Sequence, residues 1–180
     1  LAISRQITEA MGGALTVQSK IGGGSCFMVQ LPVVALKDRG LIETVPGVNT
    51  GDLCGRRILI ADDNATNRLI LERFLTPSDC IIYTASGGGE AVALALDKKF
   101  DVILMDIQMP DVDGIEATRR IRDAETQGAK PRVPIFAVTA NVLSHQVSDY
   151  MAAGVDRVLP KPLSKHRLLS ELCALDYRQG

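Results

Sequence analysis

The sequence predicts an α/β protein whose main domain is a doubly wound parallel sheet of about five strands. Short apolar runs alternate with amphipathic stretches along most of the 180 residues, which is typical of βαβ units. The runs are continuously apolar, which indicates strands that are covered on both faces. With 46% hydrophobic and 23% charged residues, the chain has enough apolar surface to offset the entropy lost on folding.

The N-terminal segment predicts a helix followed by a hairpin. Apolar residues recur three or four positions apart as far as Met11, and Gly12-Gly13 ends that helix. Two strands follow, over 15–19 and 25–31, and the glycine-rich turn 21–24 joins them. So few residues can hardly bury a core of their own. We therefore expect this segment to complete a larger domain, with the chain beginning inside an element.

A stretch without periodicity separates this segment from the α/β domain. Between Pro32 and Gly55, the residues Pro46, Gly47 and Gly51 interrupt the chain, and such a composition predicts a flexible linker. The α/β pattern begins after it. Strands are predicted at 58–60, 81–83, 102–105, 135–138 and 158–159, and helices at 67–75, 90–98, 115–123, 144–153 and 164–174.

The composition excludes several classes of function. A net charge of -1 leaves no long-range field for binding nucleic acid or an anionic membrane. No apolar run approaches the roughly 18 to 20 residues that cross a bilayer, and no signal-peptide pattern is present. The four cysteines are scattered without a Cys-x-x-Cys pair, which argues against a zinc site and a disulfide framework. We expect a cytoplasmic segment with reduced thiols, even if the parent protein is anchored in a membrane.

Charged and hydroxyl side chains follow the predicted strands where these end, at Asp62, Asp63, Asp106, Thr139 and Lys161. In a doubly wound sheet, the carboxyl ends of the strands form the ligand crevice. Three carboxylates that meet there repel one another by about 4 kcal/mol per pair at roughly 4 Å, so the cluster favours a bound cation. Oxygen ligands without Cys or His select a hard ion, and few carboxylates with room for water favour Mg²⁺ over Ca²⁺.

The acidic cluster suits phosphoryl chemistry. A carboxylate beside Mg²⁺ can attack phosphorus and form an acyl phosphate, and Asp106 is the predicted nucleophile because it ends the most apolar strand. Asp62 and Asp63 are placed to hold the metal, and Thr139 and Lys161 to bind the phosphoryl oxygens. Taken singly, the two acids fit helix caps, the threonine a strand end and the lysine a solvated charge. Their common position at one edge favours the functional interpretation.

Four motifs carry a resemblance to a known family. Residues 58–64 (Ile-Leu-Ile-Ala-Asp-Asp-Asn), 101–114 with its Met-Asp-Ile-Gln-Met-Pro core, 138–141 (Val-Thr-Ala-Asn) and 159–162 (Leu-Pro-Lys-Pro) resemble the response-regulator receiver domain. The resemblance runs over 57–176 and implies a flavodoxin-like fold with a five-stranded parallel sheet.

The resemblance also implies roles for the residues at the strand ends. Asp106 corresponds to the phosphoacceptor, Asp63 to the direct Mg²⁺ ligand and Asp62 to an acid that acts mainly through water. The backbone carbonyl of Gln108 completes the metal shell, and Thr139 and Lys161 grip the phosphoryl group. A cis peptide is frequent in the family at the position of Lys161-Pro162. Val158 stands where many receivers carry an aromatic switch residue.

Residues 1–34 are similar to the end of a histidine-kinase ATP-binding domain, which is an α/β sandwich. Met11-Gly12-Gly13 and the pattern Ser-x-x-Gly-x-Gly-Ser-x-Phe over 19–27 match its closing helix and hairpin. Together the two halves resemble the C-terminal part of a hybrid sensor histidine kinase, with a linker at 35–56 and the receiver at 57–176. The parent would be an ATP-dependent protein-histidine kinase. This chain lacks the phosphorylatable histidine, the asparagine box and the first glycine box, so we expect it to bind no ATP.

The function implied by the resemblance is phosphorelay signal transduction, in which Asp106 accepts a phosphoryl group from phosphohistidine and passes it on or loses it to water. The partner would be the phosphohistidine domain of its own kinase or a histidine phosphotransfer protein. A phosphatase that forms an aspartyl phosphate needs a second Asp at position 108, where Gln108 stands. A non-phosphorylated interaction module with the receiver fold is the alternative function.

The helix predicted over 67–75 lies next to this site. Its expected core stripe is Asn67, Ile70, Leu71, Phe74 and Leu75. Leu69 points elsewhere, and with Ala65, Arg68 and Glu72 it makes a mixed surface. We hypothesise that a phosphohistidine-bearing helical domain docks there, although an incidental exposed leucine is an equally good interpretation.

Overall fold

The computed structural model describes residues 2–20, 22, 24–32, 50–128, 131–140 and 144–175. The chain divides into two compact units, Leu1–Glu43 and Thr44–Gly180. The helices are α1 (Ala2–Ala10), α2 (Ala65–Leu75), α3 (Gly88–Asp97), α4 (Gly114–Gln127), α5 (Ser144–Ala152) and α6 (Lys165–Cys173). The strands are β1 (Ala14–Lys20), β2 (Gly24–Gln30), β3 (Arg57–Ala61), β4 (Ile81–Ala85), β5 (Val102–Asp106), β6 (Ile135–Thr139) and β7 (Arg157–Pro160).

The first unit is the helix and hairpin that the sequence predicts. Strands β1 and β2 pair antiparallel, with Leu15 opposite Val29. Gly12 ends α1 with a φ of 75°, a left-handed conformation that glycine adopts without a steric penalty. Most of its large apolar side chains, Phe27 among them, are exposed within the unit. The helix-and-hairpin prediction is confirmed.

The second unit contains a five-stranded parallel sheet with the order β4-β3-β5-β6-β7. The first strand of this sheet along the chain is second in space, which is the flavodoxin-like strand order. Successive strand residues enter cores on opposite faces. Ile58 and Ile60 pack with α2 and α6, whereas Leu59 packs with α3 and α4. This two-sided packing explains the continuous apolar runs, and the predicted fold class is confirmed.

One predicted strand is covered less completely than the others. Strand β4 lies at the edge of the sheet, and Ile81 in it remains 45% exposed. Ile82 and Tyr83 nevertheless pack against the cores on opposite faces of the sheet, so the prediction of a strand covered on both faces is confirmed for β4 except at Ile81, where the strand begins.

The C-terminal end of the predicted linker 35–56 also differs. Residues 33–49 lie outside the described part of the chain, but Thr50–Leu53 form a 3₁₀ helix. Leu53 is fully buried in the core that contains Ile58 and Leu172. Residues 50–56 therefore pack with the second unit, and a lone apolar residue between glycines gave no periodic signal of this.

The core stripe predicted for α2 is wrong at Ile70, which is 43% exposed. The buried residues of this helix are Leu71 and Leu75, and a neighbouring position lies about 100° away around a helix. Leu69 is exposed as predicted. Asn67 is half-buried and serves a polar contact rather than the core.

Candidate functional site

The carboxyl ends of four neighbouring strands bring the predicted site residues to one edge of the sheet. Asp106 is the last residue of β5 and Thr139 the last of β6, while Asp62 and Lys161 directly follow β3 and β7. Asp62, Asp106 and Thr139 are buried, whereas Asp63 is exposed. The alternation of strands and helices thus places these side chains at the crevice that the sequence predicts.

Three carboxylates meet at this edge. One oxygen each from Asp62, Asp63 and Asp106 lies within 4.8 Å of the other two. Lys161 reaches into the same cluster, and its Nζ donates to Oδ2 of Asp106 at 2.7 Å and to Oδ2 of Asp62 at 2.8 Å. Its backbone N–H donates to the carbonyl of Thr139 at 2.8 Å, and the Lys161-Pro162 peptide is cis. Lys161 thus pairs with two of the three acids, so the cluster of three acids and this lysine carries an excess of negative charge.

Burial and these contacts shift two pKa values. Burial raises the pKa of the Asp106 carboxyl above its ordinary value of 3.8, against the opposing effect of the hydrogen bond and charge of Lys161. Burial lowers the pKa of Lys161, but the hydrogen bonds to Asp106 and Asp62 outweigh it, so its pKa is raised above 10.5. Lys161 therefore stays charged, and Asp106 carries a charge that its surroundings stabilise poorly.

Asp62 is held by donors on both carboxylate oxygens. Oδ1 accepts from the backbone N–H of Asn64 at 2.9 Å and from Nδ2 of Asn67 at 3.1 Å. Oδ2 accepts from the same Nδ2 at 3.1 Å and from Lys161. A carboxylate offers about four lone-pair positions, so these contacts fill Asp62.

The helix-cap interpretation of Asp62 and Asp63 is wrong. Helix α2 is capped by Asn64, whose side chain accepts from the N–H of Thr66 at 2.9 Å. The carboxylate of Asp63 accepts no hydrogen bond within the described part of the chain and is exposed. An acid that caps nothing, next to two buried acids, is available to a cation.

Two supporting residues were missed at the level of sequence. Nη1 of Arg68 donates to the carbonyls of Asp62 at 2.7 Å and Asp63 at 3.2 Å, so its guanidinium ties down the loop after β3. Gly114 begins α4 against β5, and a Cβ at this position would lie 2.1 Å from the carbonyl oxygen of Asp106. The glycine thus permits a close approach that any side chain would block.

For Gln108 and Thr139, the structure gives a position near Asp106 rather than a role. The backbone N–H of Gln108 donates to Oδ1 of Asp106 at 3.2 Å, which fixes the segment after β5 against the acid. Thr139 is fully buried at the same edge. The metal role of the Gln108 carbonyl and the phosphoryl role of Thr139 remain predictions.

This arrangement defines a class of protein: a doubly wound α/β domain with an acidic, cation-attracting crevice at the carboxyl ends of its strands. Residues 58–173 match the family of the response regulator receiver domain. The chain belongs to this family. The match confirms the predicted family and the predicted class of function, signal transduction by a receiver domain.

Known proteins extend the comparison. The chain is 34% identical to the sensor histidine kinase AruS of Pseudomonas aeruginosa over 168 residues, which cover 93% of this chain and 16% of AruS. The receiver domain of the sensor histidine kinase PA1611 of Pseudomonas aeruginosa, with magnesium coordinated in its active site cleft, is 32% identical with a TM-score of 0.58. That likeness covers 68% of this chain and all of PA1611's receiver, 100%.

A third relative is a complex. The structure of the histidine phosphotransfer protein Ypd1 with the receiver domain of Ssk1, from Saccharomyces cerevisiae, matches with 32% identity and a TM-score of 0.61. The match covers 66% of this chain and 87% of that chain.

Two other expectations bear on the chain as a whole. Within the described residues, no helix is long and apolar enough to cross a membrane. Within the described residues, Cys26, Cys54, Cys80 and Cys173 form no disulfide. Burial raises the pKa of the Cys80 thiol, which makes it a poor nucleophile.

Proposed function

We propose that this chain is a Mg²⁺-dependent phosphoacceptor in a phosphorelay and that Asp106 carries the phosphoryl group. The observation that supports this most strongly is the buried Asp106 carboxylate, which contacts Lys161 at 2.7 Å and lies beside two further acids. A buried acid with a poorly stabilised charge is a nucleophile in a site that attracts cations.

The metal site is supported by its donor set. Asp63 and Asp106 offer oxygen atoms within reach of one ion, and the Gln108 carbonyl follows two residues later. Hard oxygen ligands in small number suit Mg²⁺. When bound, Mg²⁺ supplies positive charge to the phosphoryl oxygens. The magnesium in the cleft of the PA1611 receiver supports the same assignment here.

The protein's residues account for the transfer step. A carboxylate oxygen of Asp106 forms a bond to phosphorus while the bond from phosphorus to the donor's imidazole nitrogen breaks, and the imidazole keeps the electron pair. Lys161 and Thr139 bind the phosphoryl oxygens as charge builds on them. Water later cleaves the acyl phosphate and returns the carboxylate and inorganic phosphate.

Labelling with acetyl phosphate tests this function. Intact-mass measurement should show a gain of about 80 daltons per chain only when Mg²⁺ is present. Asp106→Asn should abolish the gain while circular dichroism shows a folded chain. Failure of the folded wild-type chain to gain mass would favour the alternative, a non-phosphorylated interaction module.

We further propose that the donor is a phosphohistidine on a helical domain that docks on α2. Leu69 and Ile70 are adjacent, 47% and 43% exposed, and lie on the helix that begins at the site. The complex of Ypd1 with the Ssk1 receiver supports a partner of this kind. We include Ile70 in the proposed surface because it is exposed, and we leave out Arg68 because its guanidinium is turned toward the loop after β3.

Charge placed on this surface tests the docking. Leu69→Glu should slow phosphoryl transfer from a histidine phosphotransfer protein but leave labelling by acetyl phosphate unchanged. Leu96→Glu changes a leucine of similar exposure, 43%, on α3 and should slow neither reaction. Equal losses of both reactions in Leu69→Glu would contradict a docking role.

We also propose that the chain belongs to a hybrid sensor histidine kinase, with residues 1–34 ending its ATP-binding domain and the receiver continuing to 176. The helix and hairpin of the first unit and the alignment with AruS support this context. The kinase motifs named above are missing from the sequence. Calorimetry should therefore detect no ATP binding by this chain, and a millimolar or tighter affinity would contradict the proposal.

A further inference from the structure

The two adjacent acids of the site differ in the hydrogen-bond donors around their carboxylates. Asp62 and Asp63 are adjacent, and both place an oxygen within 4.8 Å of the others in the cluster. The Asp62 oxygens receive four contacts from Asn64, Asn67 and Lys161. The Asp63 carboxylate receives none within the described part of the chain. The difference lies in the donors, since the two acids have the same chemistry.

Asn67 is the donor that contacts both oxygens of Asp62. It lies in the first turn of α2, and its Nδ2 is 3.1 Å from Oδ1 and 3.1 Å from Oδ2. Asn64 donates from the backbone and Lys161 is on a flexible stem, so Asn67 is the donor whose side chain is fixed by a helix. A carboxylate held on both oxygens cannot turn a free edge toward an ion without losing a hydrogen bond.

We propose that Asn67 is a positioning residue that keeps Asp62 out of direct contact with the metal and thereby makes the site select Mg²⁺ over Ca²⁺. Ca²⁺ prefers six to eight oxygen ligands and often takes a carboxylate with both oxygens, whereas Mg²⁺ keeps several of its waters. With Asp62 held, the chain offers few direct ligands, which suits Mg²⁺. Without Asn67, Asp62 can turn toward the ion with both oxygens, which suits Ca²⁺. This inference rests on the proposed metal site.

Calorimetric titration of the full chain with Mg²⁺ and with Ca²⁺ tests the inference. Asn67→Leu removes the amide and keeps the size of the side chain, and Asn67→Ser serves if the leucine variant fails to fold. We expect the ratio of Ca²⁺ to Mg²⁺ affinity to rise about tenfold, at the lower end of the effect of residues that orient metal ligands. Thr66→Leu, an exposed neighbour on the same helix turn, should leave the ratio unchanged.

A double variant separates positioning from a general effect on stability. In an Asp62→Asn background, Asn67→Leu should leave the ratio of the two affinities unchanged, because Asn67 acts through the Asp62 carboxylate. An equal rise in both backgrounds, or no rise in the single variant, would overturn the inference while Mg²⁺ binding by the wild type still supports the proposed function. If the folded wild type binds neither ion, the proposed metal site itself fails.

Discussion

The amino ends and the carboxyl ends of the parallel strands differ in how their charged side chains are paired. At the amino ends of β6 and β7, Arg122 of α4 donates to Glu125 at 2.7 Å and to Asp156 at 2.7 Å. Arg132 also donates to Asp156, at 2.8 Å. Two cations thus meet two acids, and the Arg122 side chain is only 11% exposed. At the carboxyl ends, three acids lie together, and Lys161 pairs with two of them, Asp62 and Asp106.

The comparison shows which charges serve the fold. In the network around Arg122, the donors and acceptors also bind the backbone, since Asp156 accepts from the N–H of Ile135 at 2.8 Å and Glu125 from that of Val133 at 2.8 Å. Every group there has a partner in the chain. At the opposite edge, Asp62 is filled by donors of the chain, but the exposed Asp63 carboxylate accepts no hydrogen bond within the described residues, so the cluster is left with uncompensated negative charge. A cluster with uncompensated charge therefore indicates a functional site, whereas a cluster whose charges are all paired indicates a contribution to stability.

The largest effect is expected from a substitution in the ion-pair network around Arg122. Arg122→Ala leaves Glu125 and Asp156 without their main partner, so the free energy of unfolding should fall by about 3–5 kcal/mol. Urea unfolding measures this. Arg120→Ala, which breaks an exposed pair with Glu116 on the same helix, should cost only about 0.3–0.5 kcal/mol. Comparable losses in the two variants would mean that the Arg122 network is not structural.

A second prediction disturbs the backbone under the acidic edge. In Gly114→Ala, the new Cβ would lie 2.1 Å from the Asp106 carbonyl oxygen, so α4 must move away from β5. We expect a loss of about 1–3 kcal/mol in unfolding free energy and slower labelling by acetyl phosphate. Gly89→Ala in α3, where a Cβ meets nothing within 4 Å, should stabilise by about 0.5–1 kcal/mol. Normal labelling of Gly114→Ala would show that this close approach does not position Asp106.

A third prediction removes charge from the acidic edge. Because the pKa of Asp106 is raised in the fold, its ionised form costs stability once the pH rises above the ordinary value of 3.8. Asp106→Asn should therefore have a higher urea midpoint than the wild type at neutral pH without Mg²⁺, and the difference should vanish as the pH falls below 3.8. An Asp106→Asn chain that is less stable at neutral pH would contradict the charge imbalance.

The smallest effect is expected at Glu90, an acid near the carboxyl ends of the strands that accepts hydrogen bonds from Ser86. Glu90 of α3 accepts from the N–H of Ser86 at 2.7 Å and from its Oγ at 2.8 Å, and these bonds lower the pKa of Glu90 below 4.5. Its stabilising effect is present above 4.5 and is lost as the pH falls through the lowered pKa. Glu90→Gln should cost about 0.3 kcal/mol at neutral pH, with labelling unchanged and no cost in acid.

The charged residues of the site could be predicted from the sequence more readily than the residues that hold the site and the fold in place. Apolar runs define strands, and parallel strands bring the residues that follow them to one edge, so Asp62, Asp106 and Lys161 were found by position alone. The prediction of Asn67 as a core residue was wrong because helical spacing gives no information about a side chain that bonds to the preceding loop. Gly114 meets the backbone of the preceding strand, and Arg122 meets Asp156, which is 34 residues later; no helical or strand periodicity indicates either contact.

Errors of periodicity have a similar cause. Ile70 is exposed because the helix presents Leu71 and Leu75 to the core, and three adjacent apolar residues leave the choice of face open. Leu53 is buried without any periodic neighbour. In each case the tertiary contact decides, and the local sequence allows more than one outcome.

Tandem mass spectrometry of the labelled chain tests the central claim most directly. After incubation with acetyl phosphate and Mg²⁺, the account predicts an acyl phosphate on Asp106, and none on Asp62 or Asp63 although they share the crevice. Donors occupy both oxygens of Asp62, and Asp106, which ends β5, is the proposed nucleophile. A phosphoryl group found on another acid, or none on any, would contradict the account.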